Sequence, residues 1–106
     1  MADENKLQEM QFLEQSFQNL LFQKQAFQME LSETNSALKE IEKAGEEVFK
    51  IIGQLMIKTD KSKTQKELED KKRMLDLRVK ALEKQEGSLS ERLEKLREEI
   101  TKSVKK

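Results

Sequence analysis

The sequence predicts a mainly α protein. Two helices form an antiparallel coiled coil, and a β-hairpin that assembles with other chains joins them. Three observations predict this. Charged residues make up 40% of the 106 positions and apolar residues 35%, with no Pro and three Gly. A chain this polar that lacks loop-forming residues is either disordered or a long helical assembly. Apolar residues then recur at alternating steps of three and four in both halves, which selects the helix. A short β-rich stretch around Gly53-Gln54 interrupts that spacing. The length allows one domain over residues 1–106, with a helix over about 3–44, a hairpin over about 48–59 and a helix over about 64–104.

The first helix carries a seam through Met10, Leu13, Phe17, Leu20, Lys24, Phe27, Leu31, Thr34, Leu38 and Ile41, apolar at eight of ten positions. Carried backward it reaches Lys6 and Asp3, so the seam is expected to fray near the N-terminus. Gly45 follows Ala44 and suits a helix C-cap.

The middle stretch reads as strands. Val48-Phe49-Lys50-Ile51-Ile52 and Leu55-Met56-Ile57-Lys58-Thr59 are rich in β-branched residues and flank Gly53-Gln54. Glycine at the first turn position favours a two-residue type II′ turn. That turn pairs Ile52 with Leu55 and Val48 with Thr59. One face then shows Phe49, Ile51, Met56 and Lys58, and the other Val48, Lys50, Ile52, Leu55, Ile57 and Thr59. Both faces are mainly apolar, and the chain offers no third strand. An isolated hairpin is marginal in water, and its outer edges carry unpaired N–H and C=O groups. Pairing with hairpins of other chains, in a shared sheet or barrel, resolves both problems.

The second helix repeats the seam through Leu68, Lys72, Leu75, Val79, Leu82, Glu86, Leu89, Leu93, Leu96 and Ile100, again apolar at eight of ten. Thr64 and Glu67 have the spacing of a capping box at its start, with Ser62 as a competing cap. Each helix is roughly 60 Å long at the α-helical rise. Two helices of equal length around a tight reversal lie antiparallel, and both termini meet at a tip away from the hairpin. Gly87 lies inside the second helix and is a point of loosening.

Some residues do not fit a plain seam. Lys24 and Glu86 come near one level in an antiparallel pair. Either their stems snorkel and keep the charges wet, or their opposite charges pin the register. Phe12, Phe17, Phe22 and Phe27 recur every five residues, which is not a helical period. Phe17 and Phe27 fall on the seam. Phe12 and Phe22 fall off it, with Leu7, Leu21 and Met29. For Phe22 and Met29 the reading is packing against a neighbouring subunit or a broadened seam. Leu7, Met10, Phe12 and Leu13, joined by Ile100 and Val104, read as a surface for other apolar chains.

The composition excludes much chemistry. The chain has no Cys and no His, which removes the usual zinc, haem, iron–sulfur and thiol sites and the commonest general base. Gly45, Gly53 and Gly87 lie too far apart for a phosphate-binding loop. No catalytic residue, metal or cofactor is expected, and any work done is independent of ATP. Net charge is zero, but residues 1–47 hold 4 basic and 10 acidic groups, against 17 and 11 in residues 48–106. Halves of opposite sign attract each other when they lie side by side. A nucleic-acid partner is not expected, because the basic groups are interleaved with acids and no aromatic residue sits among them. No signal peptide or membrane span is seen, so the expected location is the cytoplasm.

These features together resemble the β-type subunit of prefoldin. The most specific part is the run from Val48 to Lys58, which is similar to the family's V-[FY]-K-x-x-G-x-[LV]-[ILV]-[VI]-K hairpin. Leu82-Glu83-Lys84-Gln85-Glu86 is similar to the family's L-x-x-Q-E segment, and one hairpin instead of two matches the β-type class. The overall look is archaeal.

The resemblance implies a hetero-hexamer of two α-type and four β-type subunits, with hairpins joined in a β-barrel platform. It implies coiled-coil tips that hold unfolded clients and deliver them to a group II chaperonin. By position, Val48, Phe49, Ile51, Ile52, Gly53, Leu55, Met56 and Ile57 would build the platform. Leu7, Met10, Phe12, Leu13, Phe17, Leu96, Ile100 and Val104 would lie at or near the client-gripping end. The competing reading is a structural coiled-coil adaptor with one defined protein partner.

Overall fold

The computed structural model describes residues 2–104, with side chains from Glu4 to Ser103. Helix α1 spans Ala2–Lys43, strand β1 Glu47–Ile52, strand β2 Leu55–Asp60 and helix α2 Lys61–Val104. The chain divides into two compact units. One holds the chain up to Ala26 together with the chain from Val79 onwards. The other is Phe27–Arg78, which contains the hairpin.

In the first unit α1 and α2 run antiparallel, and apolar burial holds them. Leu13, Leu93 and Leu96 form a buried cluster, with Met10, Phe17, Leu89 and Ile100 packed against it. Leu20, Val79 and Leu82 are buried as well. All lie on the expected seams. Four ion pairs cross between the helices: Lys6–Glu99 at 3.7 Å, Glu9–Arg92 at 4.0 Å, Glu14–Arg97 at 3.7 Å and Lys24–Glu86 at 2.7 Å. The expected fraying at the N-terminus takes a different form. Helix α1 extends back to Ala2, and Lys6 meets Glu99 at its seam position instead of an apolar side chain.

In the second unit Leu75 is the most buried side chain, 1% exposed, and Ile41 is buried beside the end of α1. Thr34, a polar residue on the seam, is buried too. Its hydroxyl donates to the Glu30 carbonyl oxygen one turn back, at 2.8 Å. That bond satisfies the hydroxyl inside the seam. Lys72 is the one seam position of α2 that stays exposed.

The hairpin has the expected register, with Val48 opposite Thr59 and Ile52 opposite Leu55, and it extends one pair further to Glu47 and Asp60. Gly53 takes a φ of 61°, and no other described residue has a positive φ. This is the sign pattern of a type II′ turn, with glycine at the position that demands it.

Two local expectations give way. Helix α2 starts at Lys61, so Thr64 and Ser62 lie inside its first turn and the Thr64–Glu67 capping box does not form. The Thr64 hydroxyl is buried with no hydrogen-bond partner among the described residues. The reason is that β2 runs straight into the helix, which leaves Asp60 in the capping position. Gly45 does not take the left-handed conformation of a C-cap. The end of α1 tightens instead, with the Ala44 amide donating to the Ile41 carbonyl at 3.2 Å. Lys61 Nζ then donates to the Glu42 carbonyl at 3.2 Å and the Ala44 carbonyl at 2.9 Å. A cation on the last carbonyls replaces the glycine cap. Helix α2 continues through Gly87.

Candidate functional site

The residues singled out from the sequence fall on two surfaces, one in each unit. The first is the hairpin. Its alternation places Phe49, Ile51, Met56 and Lys58 on one face, and the paired strands put Ile51 directly opposite Met56. Phe49, Ile51, Ile52, Leu55, Met56 and Ile57 are all exposed, Ile51 by 71%. Only Val48 and Thr59, at the base, are half-buried. Among the described residues the sheet has two strands, so one edge of each strand has no ladder partner. Charges sit at the margins. Lys58 pairs with Glu47 across the strands at 2.9 Å, and Lys50 reaches Glu67 of α2 at 3.3 Å. Both pairs are about half exposed or more and contribute little by themselves.

Such a surface is unusual in a lone soluble chain. Six neighbouring large apolar side chains in water, with open strand edges beside them, mark a protein-binding surface. The chemistry fits pairing with other strands, because backbone groups supply the hydrogen bonds and apolar side chains supply the burial.

The second surface lies at the end of the first unit where both termini meet. Leu7 and Phe12 are exposed there, Phe12 by 69%. Met10, Phe17 and Ile100 are half-buried against the core cluster, whereas Leu13 and Leu96 are buried inside it at 3% and 6% exposure. The eight candidates are therefore not alike. Leu7 and Phe12 face water, and Leu13 and Leu96 are covered by the helix pair. The Val104 side chain lies outside the described residues.

Electrostatics enter at Lys24. Its hydrogen bond to Glu86 raises the Lys24 pKa above the ordinary 10.5, against a lowering by partial burial. The opposite charges of Lys24 and Glu86 are in direct contact at 2.7 Å, with both side chains partly exposed.

Other features were not read from the sequence. Arg78 lies over the Phe27 ring, 5.5 Å from its centroid, within cation–π range. Met74 and Leu77 of α2 are exposed by 52% and 65%, like the off-seam Phe22 and Met29 that the sequence did mark. The signal for Met74 and Leu77 was their place off the three–four spacing, the same signal that marked Phe22. Among the described residues no helix is long and apolar enough to cross a membrane.

Comparison with known proteins gives one consistent answer. The family model described as prefoldin subunit matches residues 4–106. The chain is 42% identical over 94 residues to the prefoldin subunit beta of Thermococcus onnurineus, covering 87% of this chain and 81% of that one. It is 38% identical over 105 residues to the prefoldin subunit beta of Sulfurisphaera tokodaii, covering 97% and 84%. The crystal structure of the prefoldin beta subunit from Thermococcus strain KS-1 matches with a TM-score of 0.90 at 36% identity, over 99% of this chain and 94% of that one. A two-helix coiled coil with a single apolar hairpin, matched along almost its whole length to beta subunits, belongs to the prefoldin family as a beta-type chaperone subunit.

Proposed function

We propose that this chain is a holdase subunit that works without ATP. The observation that carries the reading is the exposed two-faced hairpin on a chain of this family. In this reading the hairpin builds a β-barrel platform with α-type subunits and further copies of this chain, two α-type to four β-type. The coiled-coil tips hold unfolded proteins there and deliver them to a group II chaperonin in the cytoplasm.

The physical logic supports the assignment. Unfolded clients expose apolar segments of varied sequence. Unbranched Met and mobile Leu and Phe side chains re-pack around many of them. Leu7 and Phe12 make the first contact because they already face water. Met10, Phe17 and Ile100 follow, and Leu13, Leu96 and Val104 join when the helix ends part. Each contact is weak, and several tips on one platform raise the effective concentration and give avidity.

The test uses the reconstituted complex with its α-type partner. Leu7→Ser with Phe12→Ser removes two exposed side chains and leaves the core cluster intact. The expected result is unchanged assembly by native mass and weaker suppression of aggregation of a chemically unfolded client. Full suppression by this variant overturns the tip assignment. A fixed one-to-one complex with a single unrelated protein, in place of the hetero-oligomer, would move the reading to a structural adaptor.

A further inference from the structure

We infer that Lys61 is a positioning residue that holds the end of α1 against the hairpin and so fixes how the strand edges are presented. The inference rests on the reading of the hairpin as the assembly platform.

The two connections to the hairpin are unequal. On the α2 side no residue separates β2 from the helix, because Asp60 ends the strand and Lys61 begins α2. The hairpin and α2 therefore move together. On the α1 side, Ala44, Gly45 and Glu46 lie between Lys43 and Glu47. This link is loose. Nothing lies within 4 Å of where a Cβ on Gly45 would stand, so no side chain packs over it. The link makes one backbone hydrogen bond outside the regular elements, from Ala44 to Ile41.

Lys61 bridges that asymmetry. It sits at the point where strand becomes helix, and its ammonium group donates to two carbonyls at the other helix's end, Glu42 at 3.2 Å and Ala44 at 2.9 Å. The Glu42 bond is exposed and the Ala44 bond part-buried, so the shorter Ala44 bond is the stronger of the two, and the positive charge sits at the negative end of the α1 dipole. The neighbouring tie between Lys50 and Glu67 joins β1 to α2, and each partner is about half exposed. It does not touch α1. Lys61 is thus the side chain that ties the α1 terminus to the rigid β2–α2 junction. The base pair Val48–Thr59, beside this tie, is the half-buried part of the hairpin. Without the tie, seam packing at Ile41 still holds the end of α1, but the turn through Gly45 after it has no side-chain tie to the β2–α2 junction, and the angle at which β1 leaves α1 varies more widely. A platform built from many hairpins tolerates little such variation, because every subunit must offer its edges in register.

The chain has no cysteine, so spin labels can be placed cleanly. One labelled pair, Lys39→Cys with Gln54→Cys, spans α1 and the turn. A control pair, Lys66→Cys with Gln54→Cys, spans α2 and the turn. Lys61→Met keeps the aliphatic stem and removes the donors, and Lys61→Arg restores donors. The expected result is a broadened distance distribution for the α1 pair in Lys61→Met, a narrow one for the α2 pair, and recovery in Lys61→Arg. Assembly by native mass should require on the order of tenfold more Lys61→Met protein, the factor that loss of a hydrogen bond to a charged group carries. An α1 distribution as narrow in Lys61→Met as in the native chain overturns the inference. Broadening without any change in assembly keeps the clamp but overturns its role in presentation. If Ile51→Ser with Met56→Ser also assembles normally, it is the platform reading that fails.

Discussion

The helix seams and the hairpin are built from the same kinds of apolar residue and do opposite things with them. Leu13, Leu20, Leu75, Val79, Leu82, Leu93 and Leu96 on the seams are buried within the chain. Phe49, Ile51, Ile52, Leu55, Met56 and Ile57 in the hairpin are exposed. The difference comes from geometry. A helix gathers its apolar residues on one stripe, and a second helix covers a stripe completely. A two-stranded sheet spreads its residues over two faces, and no element of this chain is left to cover either. The seam therefore stabilises the subunit, and in the proposed assembly it is the hairpin that other chains cover. The two properties should be separable by mutation.

The largest effect is expected on the hairpin side. Ile51→Ser with Met56→Ser removes an opposed exposed pair. Burial of each such side chain is worth about 1.5–3 kcal/mol, and the loss recurs at every hairpin contact. Native mass should show loss of the assembly, while thermal unfolding of the isolated chain stays nearly unchanged, as expected for exposed positions. A large drop in the chain's own stability would break the comparison, because it would place these residues in an intrachain core.

The converse variant is Leu75→Ala. Leu75 is 1% exposed, and truncation there should cost about 2–5 kcal/mol of chain stability in a denaturant titration. If it weakens assembly by more than the fraction of unfolded chain explains, the seam and the platform are coupled, and the division proposed here is too sharp.

The smallest expected effect is a pH dependence within the seam. Lys24 has a folded pKa raised above 10.5 by its hydrogen bond to Glu86. A raised pKa on a cationic group means that its stabilisation is fully present below the unfolded value of 10.5. It is lost as pH rises through the folded value. The native chain should therefore exceed Lys24→Met in stability at neutral pH, and the gap should close on titration above that value. A gap that stays constant to the highest accessible pH would assign the effect to packing of the Lys24 stem instead of its charge. A second chain type on the hairpin should leave this titration untouched.

Much of the fold was legible in the residues. Both seams, the hairpin register and the turn type follow from periodicity and from one glycine, since these are local rules with few exceptions. Helix ends were less legible. The Thr64–Glu67 box and the Gly45 cap each satisfied a local pattern, yet neither formed. Where a helix begins depends on whether the preceding strand leaves room for a loop, and here β2 leaves none. The Lys61 bonds could not be read at all, because they join residues 17 and 19 positions apart through a reversal. The candidate tip was legible as a group but not by rank. Leu7 and Leu13 were grouped together at the tip, although spacing already put Leu13 on the seam and Leu7 off it, and the packed helices bury the first and expose the second.

The sequence by itself determined the class of structure, the seam residues, the strand pairing and the absence of cysteine, histidine and phosphate-loop chemistry. These are matters of composition and of periods of 2 and 3.6 residues, which the chain carries locally. The tertiary structure decided that Lys24 and Glu86 meet, which carbonyls Lys61 caps, and which apolar side chains remain in water. Each of those depends on the distance between groups far apart in the chain. That distance exists only once the two helices have packed and the hairpin has set their register.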